Sequence, residues 1–152
     1  IQIGTKKIEK VRVVGPLRQQ TQVEISLTDA IGSGVTPQIK LSGDLNGTSP
    51  VALVGPKGAV DLNEGLIVAK RHIHCATEEA KKYKLKNGDV VSVEVPARNA
   101  SHSDADGKGE RSVVFENVIL RVRDDYKLFM HIDTDEGNAA DVNKIGEGFI
   151  IK

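Results

Sequence analysis

Apolar residues along this chain alternate with polar ones more often than they recur with a helical period. That is the pattern of strands with one buried face. Val90-Val91-Ser92-Val93-Glu94-Val95 has period two and is launched by Asn87-Gly88-Asp89. Val51-Ala52-Leu53-Val54 runs into Gly55-Pro56-Lys57-Gly58, a turn between strands, and Leu66-Ile67-Val68-Ala69 leads into Arg71-His72-Ile73-His74. Val11 and Val13 end a strand-like segment at Gly15-Pro16, and Val23-Glu24-Ile25 sits in another. Val113-Val114-Phe115 and 118–122 predict a further strand pair, and 128–132 one more strand. Many short strands with Gly-rich turns predict a mainly β chain, a barrel or a sandwich.

Helical signals are few. Thr77 as N-cap, with Glu78-Glu79 in the first turn, predicts a helix to about Tyr83. A second short helix is expected from about Thr28-Asp29-Ala30 to Gly32 or Gly34, and a third turn opening at Asn138-Ala139-Ala140. Residues 99–111 read as a flexible hairpin loop. Within it Asp104-Ala105-Asp106-Gly107 departs from a calcium loop, because Lys108 and Gly109 fall where ligands are needed. Val13-Val14-Gly15-Pro16 recurs as Leu53-Val54-Gly55-Pro56, an echo too short to establish a duplication.

Composition narrows the function. The 152 residues are 39% hydrophobic and 28% charged, which is globular. Twenty-one basic residues balance twenty-one acidic ones, and aromatic residues make up 3% with no Trp. Neither a non-specific nucleic-acid binder nor a base-stacking single-strand binder is expected. No apolar run approaches the roughly 20 residues of a membrane helix. Cys75 is the single cysteine, so there is no internal disulfide, which fits a reducing compartment. The chain opens at Ile1 and its one methionine is Met130, so a removed leader or a longer parent protein is expected. The opening residues do not resemble a cut secretory signal, and Asn46-Gly47-Thr48 and Asn99-Ala100-Ser101 read as bare loop residues.

Of the four histidines, His72 and His74 are two apart on an expected strand, so they share a face while Ile73 points to the apolar side. Two such imidazoles can close on one zinc. His131 lies in a second expected strand between Met130 and Ile132; a third imidazole would leave one zinc position open, the catalytic arrangement. Spacing alone also allows surface polarity or core hydrogen bonding. His102 has no assigned role. Arg18-Gln19-Gln20-Thr21-Gln22-Val23-Glu24 gathers hydrogen-bonding side chains, with Gln20, Gln22, Glu24 and an early Arg18 on one strand face. A guanidinium suits phosphate through its planar fork; a polar edge strand is the alternative. Cys75 faces away from the paired histidines and reads as a small buried thiol.

Several segments together resemble the PduL-type phosphate acyltransferases (phosphate propanoyltransferases). They are residues 14–26, Ser42-Gly43-Asp44-Leu45, Leu53-Val54-Gly55-Pro56-Lys57-Gly58, Ala69-Lys70-Arg71-His72-Ile73-His74 and 130–139, in the family's order along nearly the whole chain. The resemblance implies two small β-barrels with short capping helices, 1–68 and 69–152, and a dimetal zinc site between them. It implies that His72, His74 and His131 hold one zinc and that Glu24 is a ligand of the other. It implies that Arg18 holds phosphate and that Arg12 and Asn138 approach coenzyme A. The family's earlier His-x-His lies upstream of Ile1, so the N-terminal barrel is expected to be incomplete and the second zinc site to be half-built. The microcompartment-targeting leader of some members is not expected here, and the 99–111 loop reads as longer than usual.

The implied reaction is acyl-CoA plus phosphate giving acyl phosphate plus coenzyme A, with a propanoyl or acetyl group, as in propanediol degradation. The implied setting is the bacterial cytoplasm, inside a microcompartment in some members, as a homo-oligomer with shell or core proteins as partners. Two other classes stay open. One is a non-catalytic zinc barrel acting as a microcompartment assembly module; the other is a zinc hydrolase using bound hydroxide.

Overall fold

The structure is a computed structural model that describes residues 1–96, 112–142 and 144–151. The expected 99–111 loop, with its calcium-like stretch, lies outside the described residues, as does His102. The described chain is mainly β, with two sheets and three short helices, as its alternating pattern predicts. No described helix is long and apolar enough to cross a membrane. Two compact units divide it, Ile1–Lys70 and Arg71–Lys152.

The first unit contains β1 (Gln2–Ile3), β2 (Lys6–Lys7), β3 (Val23–Glu24), α1 (Leu27–Gly32), β4 (Ile39–Lys40), β5 (Ser49–Gly55) and β6 (Gly58–Ala69). Its sheet runs β2-β1-β5-β6-β3, and β4 also pairs with β6. The expected Gly-Pro-Lys-Gly turn joins β5 to β6, with Gly55 opposite Gly58. β6 lies parallel to both β3 and β4, and at that junction Leu66, Ile67 and Val68 are all buried. This explains an uninterrupted apolar run where alternation stops. Ile3, Val23, Ile25, Ala30, Val51 and Leu66 form the core. Gly65 has φ +130°, and a Cβ there would lie 2.8 Å from the Thr21 carbonyl oxygen. The sequon residue Thr48 is buried: its Oγ1 accepts from Gly65 N at 2.8 Å and donates to the Leu45 carbonyl at 2.7 Å.

The second unit contains β7 (His72–Cys75), α2 (Thr77–Tyr83), β8 (Val90–Val95), β9 (Val113–Val122), β10 (Phe129–His131), α3 (Thr134–Ala139) and β11 (Phe149–Ile151). Its sheet runs β10-β7-β9-β8-β11; β7 and β9 are parallel and the other neighbours antiparallel. Ile73, Cys75, Val91, Val93, Val95, Phe115, Val118 and Leu120 fill the core, with Met130 and Ile132 packed against it.

Several expectations need correction. Val11 and Val13 are in no strand: residues 9–21 are exposed and neither helix nor strand, with Val13 at 96% exposure. Their alternation is not matched by a neighbouring strand. The expected pair at 113–122 is one strand, β9, interrupted by Asn117 at φ 56°. Val91 pairs with Val118 and Val93 with Phe115, so two β9 residues oppose Ser92 alone, a bulge that a left-handed Asn accommodates. Ala76, not Thr77, caps α2; the Glu79 carboxylate accepts from Ala76 N at 3.2 Å, and the Thr77 hydroxyl bonds to Asp124. α1 begins one residue earlier than expected, with Ser26 Oγ accepting from Asp29 N. Asn138-Ala139 closes α3 rather than opening it. Asp133 and Glu136 form a reciprocal capping box at its start.

Candidate metal centre

Alternation along β7 buries Ile73 and Cys75 in the core and turns His72 and His74 to the opposite face. β10 then pairs antiparallel to β7, with His131 directly opposite His72 and Phe129 opposite His74. Residues opposite one another in a ladder share a face, so His131 joins the other two. The ring centroids lie 4.8 Å apart for His72 and His74, 5.0 Å for His72 and His131, and 4.4 Å for His74 and His131. One nitrogen from each imidazole lies within 4.8 Å of the others. Ligand nitrogens around a tetrahedral zinc are roughly 3.4 Å apart, given bonds of about 2.0–2.1 Å.

Burial grades across the cluster: His72 is buried, His74 half-buried and His131 exposed. His74 Nε2 is itself buried, yet meets no hydrogen-bond partner among the described residues. Such an atom costs about 1–3 kcal/mol when nothing satisfies it. Its pKa is lowered to about 4, first by burial, then by His131 and His72, then by Arg121 and Arg123. His74 is therefore neutral at physiological pH, the form that offers a lone pair to a cation. The residues present fit a zinc ion: borderline nitrogen donors, three of them, with an unpartnered buried nitrogen among them.

Two supports stand beside the histidines. Arg71 Nη1 donates to Glu136 Oε1 at 2.8 Å, and its guanidinium lies 5.5 Å from the Phe115 ring centroid. The pair ties the residue before His72 to α3, and burial raises the Glu136 pKa. The Tyr126 ring stacks on His74, with centroids 3.8 Å apart and planes 20° from parallel. Sequence reasoning missed all three residues. Asp133-x-x-Glu136 ahead of an apolar position was a readable capping signal; nothing local marks Tyr126.

The other expected site residues lie on separate elements. Arg12 and Arg18 are exposed on the irregular 9–21 segment, as is Gln20. Glu24 is exposed on β3 and accepts a hydrogen bond from Gln22 Nε2. Gln22 also clamps the Ser42-Gly43 turn, donating to Ser42 Oγ at 2.9 Å and accepting from Gly43 N at 2.7 Å. Asn138 is exposed near the end of α3. Cys75 is fully buried, and burial followed by the Glu79 charge raises its thiol pKa, which keeps it un-ionised.

A family model described as phosphate propanoyltransferase matches residues 1–143. The chain belongs to the phosphate propanoyltransferase family. A phosphate propanoyltransferase of Thermotoga maritima is 46% identical over 142 residues, 93% of this chain and 62% of the relative. Those of Lachnoclostridium phytofermentans and Levilactobacillus brevis are 47% and 46% identical, covering 90% and 99% of this chain and 59% and 67% of the relatives. The chain thus spans about three-fifths of the length of the first two relatives. The three-histidine cluster lies in residues 72–131, inside the matched span.

Proposed function

We propose that this chain belongs to a zinc-dependent acyltransferase that moves a short acyl group, propanoyl or acetyl, between coenzyme A and inorganic phosphate. The observation that carries the reading is the neutral, buried and unsatisfied Nε2 of His74 between His72 and His131, in a chain of this family. His72, His74 and His131 hold one zinc. Glu24 is a ligand of a second. Bound zinc supplies Lewis acidity toward a thioester carbonyl and the departing thiolate. Arg18 binds phosphate and offsets its charge, while Arg12 and Asn138 approach coenzyme A.

Attack is direct. A phosphate oxygen forms the bond to the acyl carbon, the carbon–sulfur bond breaks, and coenzyme A leaves as the thiolate. The buried, protonated state of Cys75 argues against an acyl-enzyme at that residue. The protein works in the bacterial cytoplasm as a homo-oligomer, with microcompartment shell or core proteins as partners where it is encapsulated.

The test measures zinc per chain and free thiol released from propanoyl-CoA with and without phosphate. Zinc binding with phosphate-dependent thiol release supports the proposal. Release without phosphate marks a hydrolase, zinc without any release marks a non-catalytic zinc barrel, and a chain that binds no zinc removes the three-histidine site.

A further inference from the structure

The His74 imidazole is not held by hydrogen bonds at Nε2. What restrains it is packing. Tyr126 lies against its face at 3.8 Å between centroids, closer than His131 at 4.4 Å or His72 at 4.8 Å. Tyr126 is half-buried and sits on a short turn whose backbone is anchored to the strand that carries His74. Arg123 N donates to the Cys75 carbonyl at 3.1 Å, and Tyr126 N donates to the Arg123 carbonyl at 3.2 Å. The Arg123 guanidinium lies 4.8 Å from the Tyr126 ring centroid and is held in turn by Asp125 at 2.8 Å. A cation over an aromatic ring stabilises that ring's placement. The circuit runs from the end of β7, through the turn, to the tyrosine ring and back onto His74.

We propose that Tyr126 is a positioning residue of the metal centre: its ring fixes the plane of the His74 imidazole so that Nε2 faces the cation position. The proposal rests on the three-histidine zinc reading. An imidazole free to rotate about its χ angles loses orientational freedom when it binds a metal; one already stacked has less to lose. Outer-shell groups that orient a ligating histidine by hydrogen bonding typically change metal affinity by about 10–100-fold when removed, and a stacked ring that orients it is expected at the low end of that range. The ring supplies the effect, and the hydroxyl, 3.5 Å from Arg123 Nη1, is peripheral to it.

The test uses the full chain, with zinc affinity read by competition against a chromophoric chelator and ligand geometry read from the visible band of the cobalt-substituted protein. Tyr126→Leu should weaken zinc about tenfold and shift the cobalt band, whereas Tyr126→Phe should stay within about twofold of the parent, restoring both. The chain has two tyrosines and no tryptophan, so Tyr83→Phe leaves Tyr126 as the sole emitter. Its emission should change as zinc saturates the site. Zinc affinity in Tyr126→Leu equal to the parent's overturns the proposal; if that variant does not fold, an unchanged Tyr126 emission on zinc saturation overturns it. A parent chain that binds no zinc removes the underlying site, and this inference with it.

Discussion

Residues 72–75 with 129–131, and residues 9–21, both carry side chains expected to act, but they hold them differently. In the first region three imidazoles stand on two paired strands, and the register His131 to His72 fixes their separation. In the second, Arg12 and Arg18 stand on an exposed segment with neither strand nor helix. A ladder fixes both the direction and the spacing of side chains, because each backbone group is committed to a hydrogen bond. An irregular segment commits neither. Preorganised ligands suit a small cation with short, directional bonds. Guanidiniums on an exposed irregular segment suit a larger anion that can be gathered by several contacts.

The sharpest way to break this contrast is to remove one imidazole. His131→Ala should abolish stoichiometric zinc and weaken affinity by more than about a hundredfold; metal analysis after dialysis that finds one zinc per chain would refute the assignment. Arg18→Ala should leave zinc content unchanged and raise the phosphate KM. An unaltered KM would remove its role.

Next in size is backbone strain in the first unit. Gly65→Ala brings a Cβ to 2.8 Å from the Thr21 carbonyl oxygen at φ +130°. It should cost about 1–3 kcal/mol in urea unfolding, far more than a side-chain change at the exposed residues 9–20. A loss comparable to Arg18→Ala, expected within about 0.5 kcal/mol, would contradict the geometry.

Glu136→Ala removes both the Arg71 pair and the reciprocal cap on Asp133 N. About 1–2 kcal/mol is expected, with zinc affinity weakened as well, since Arg71 adjoins His72. Unchanged stability and affinity together would show that the strand pairing alone orders the site.

The pH dependence of the metal-free protein probes the burial of the cluster itself. His74 titrates near 6.5 when unfolded and about 4 when folded, so the unfolded chain binds the proton first. Stability therefore falls as pH drops from about 6.5 towards 4. Glu136 acts in the opposite sense, since its raised pKa favours the fold at low pH and that contribution is lost as pH rises. The His74→Gln difference isolates the histidine: its melting temperature should depend less on pH across that window than the parent's. An identical dependence would count against the burial of His74.

Much of this was readable before any coordinates. The period-two stretch at 90–95, the Gly55–Gly58 turn and the sidedness of His72-Ile73-His74 follow from local geometry, and each is found in the fold. Val11 and Val13 have the same alternation without a strand, because pairing needs a partner edge that local pattern does not specify. Asn117 hides a bulge inside one long strand, since a single left-handed residue barely alters the hydrophobic pattern.

The amino-acid order alone determined which side chains share a face, because alternation is a property of the extended backbone itself. It also carried enough family-specific residues to assign the chain to a family. Only the tertiary structure decided that His131 stands opposite His72, that Tyr126 stacks on His74, and that Arg71 meets Glu136 across 65 positions of sequence. Those meetings depend on strand register and turn placement, which are set by the packing of the whole core and not by any neighbouring residue.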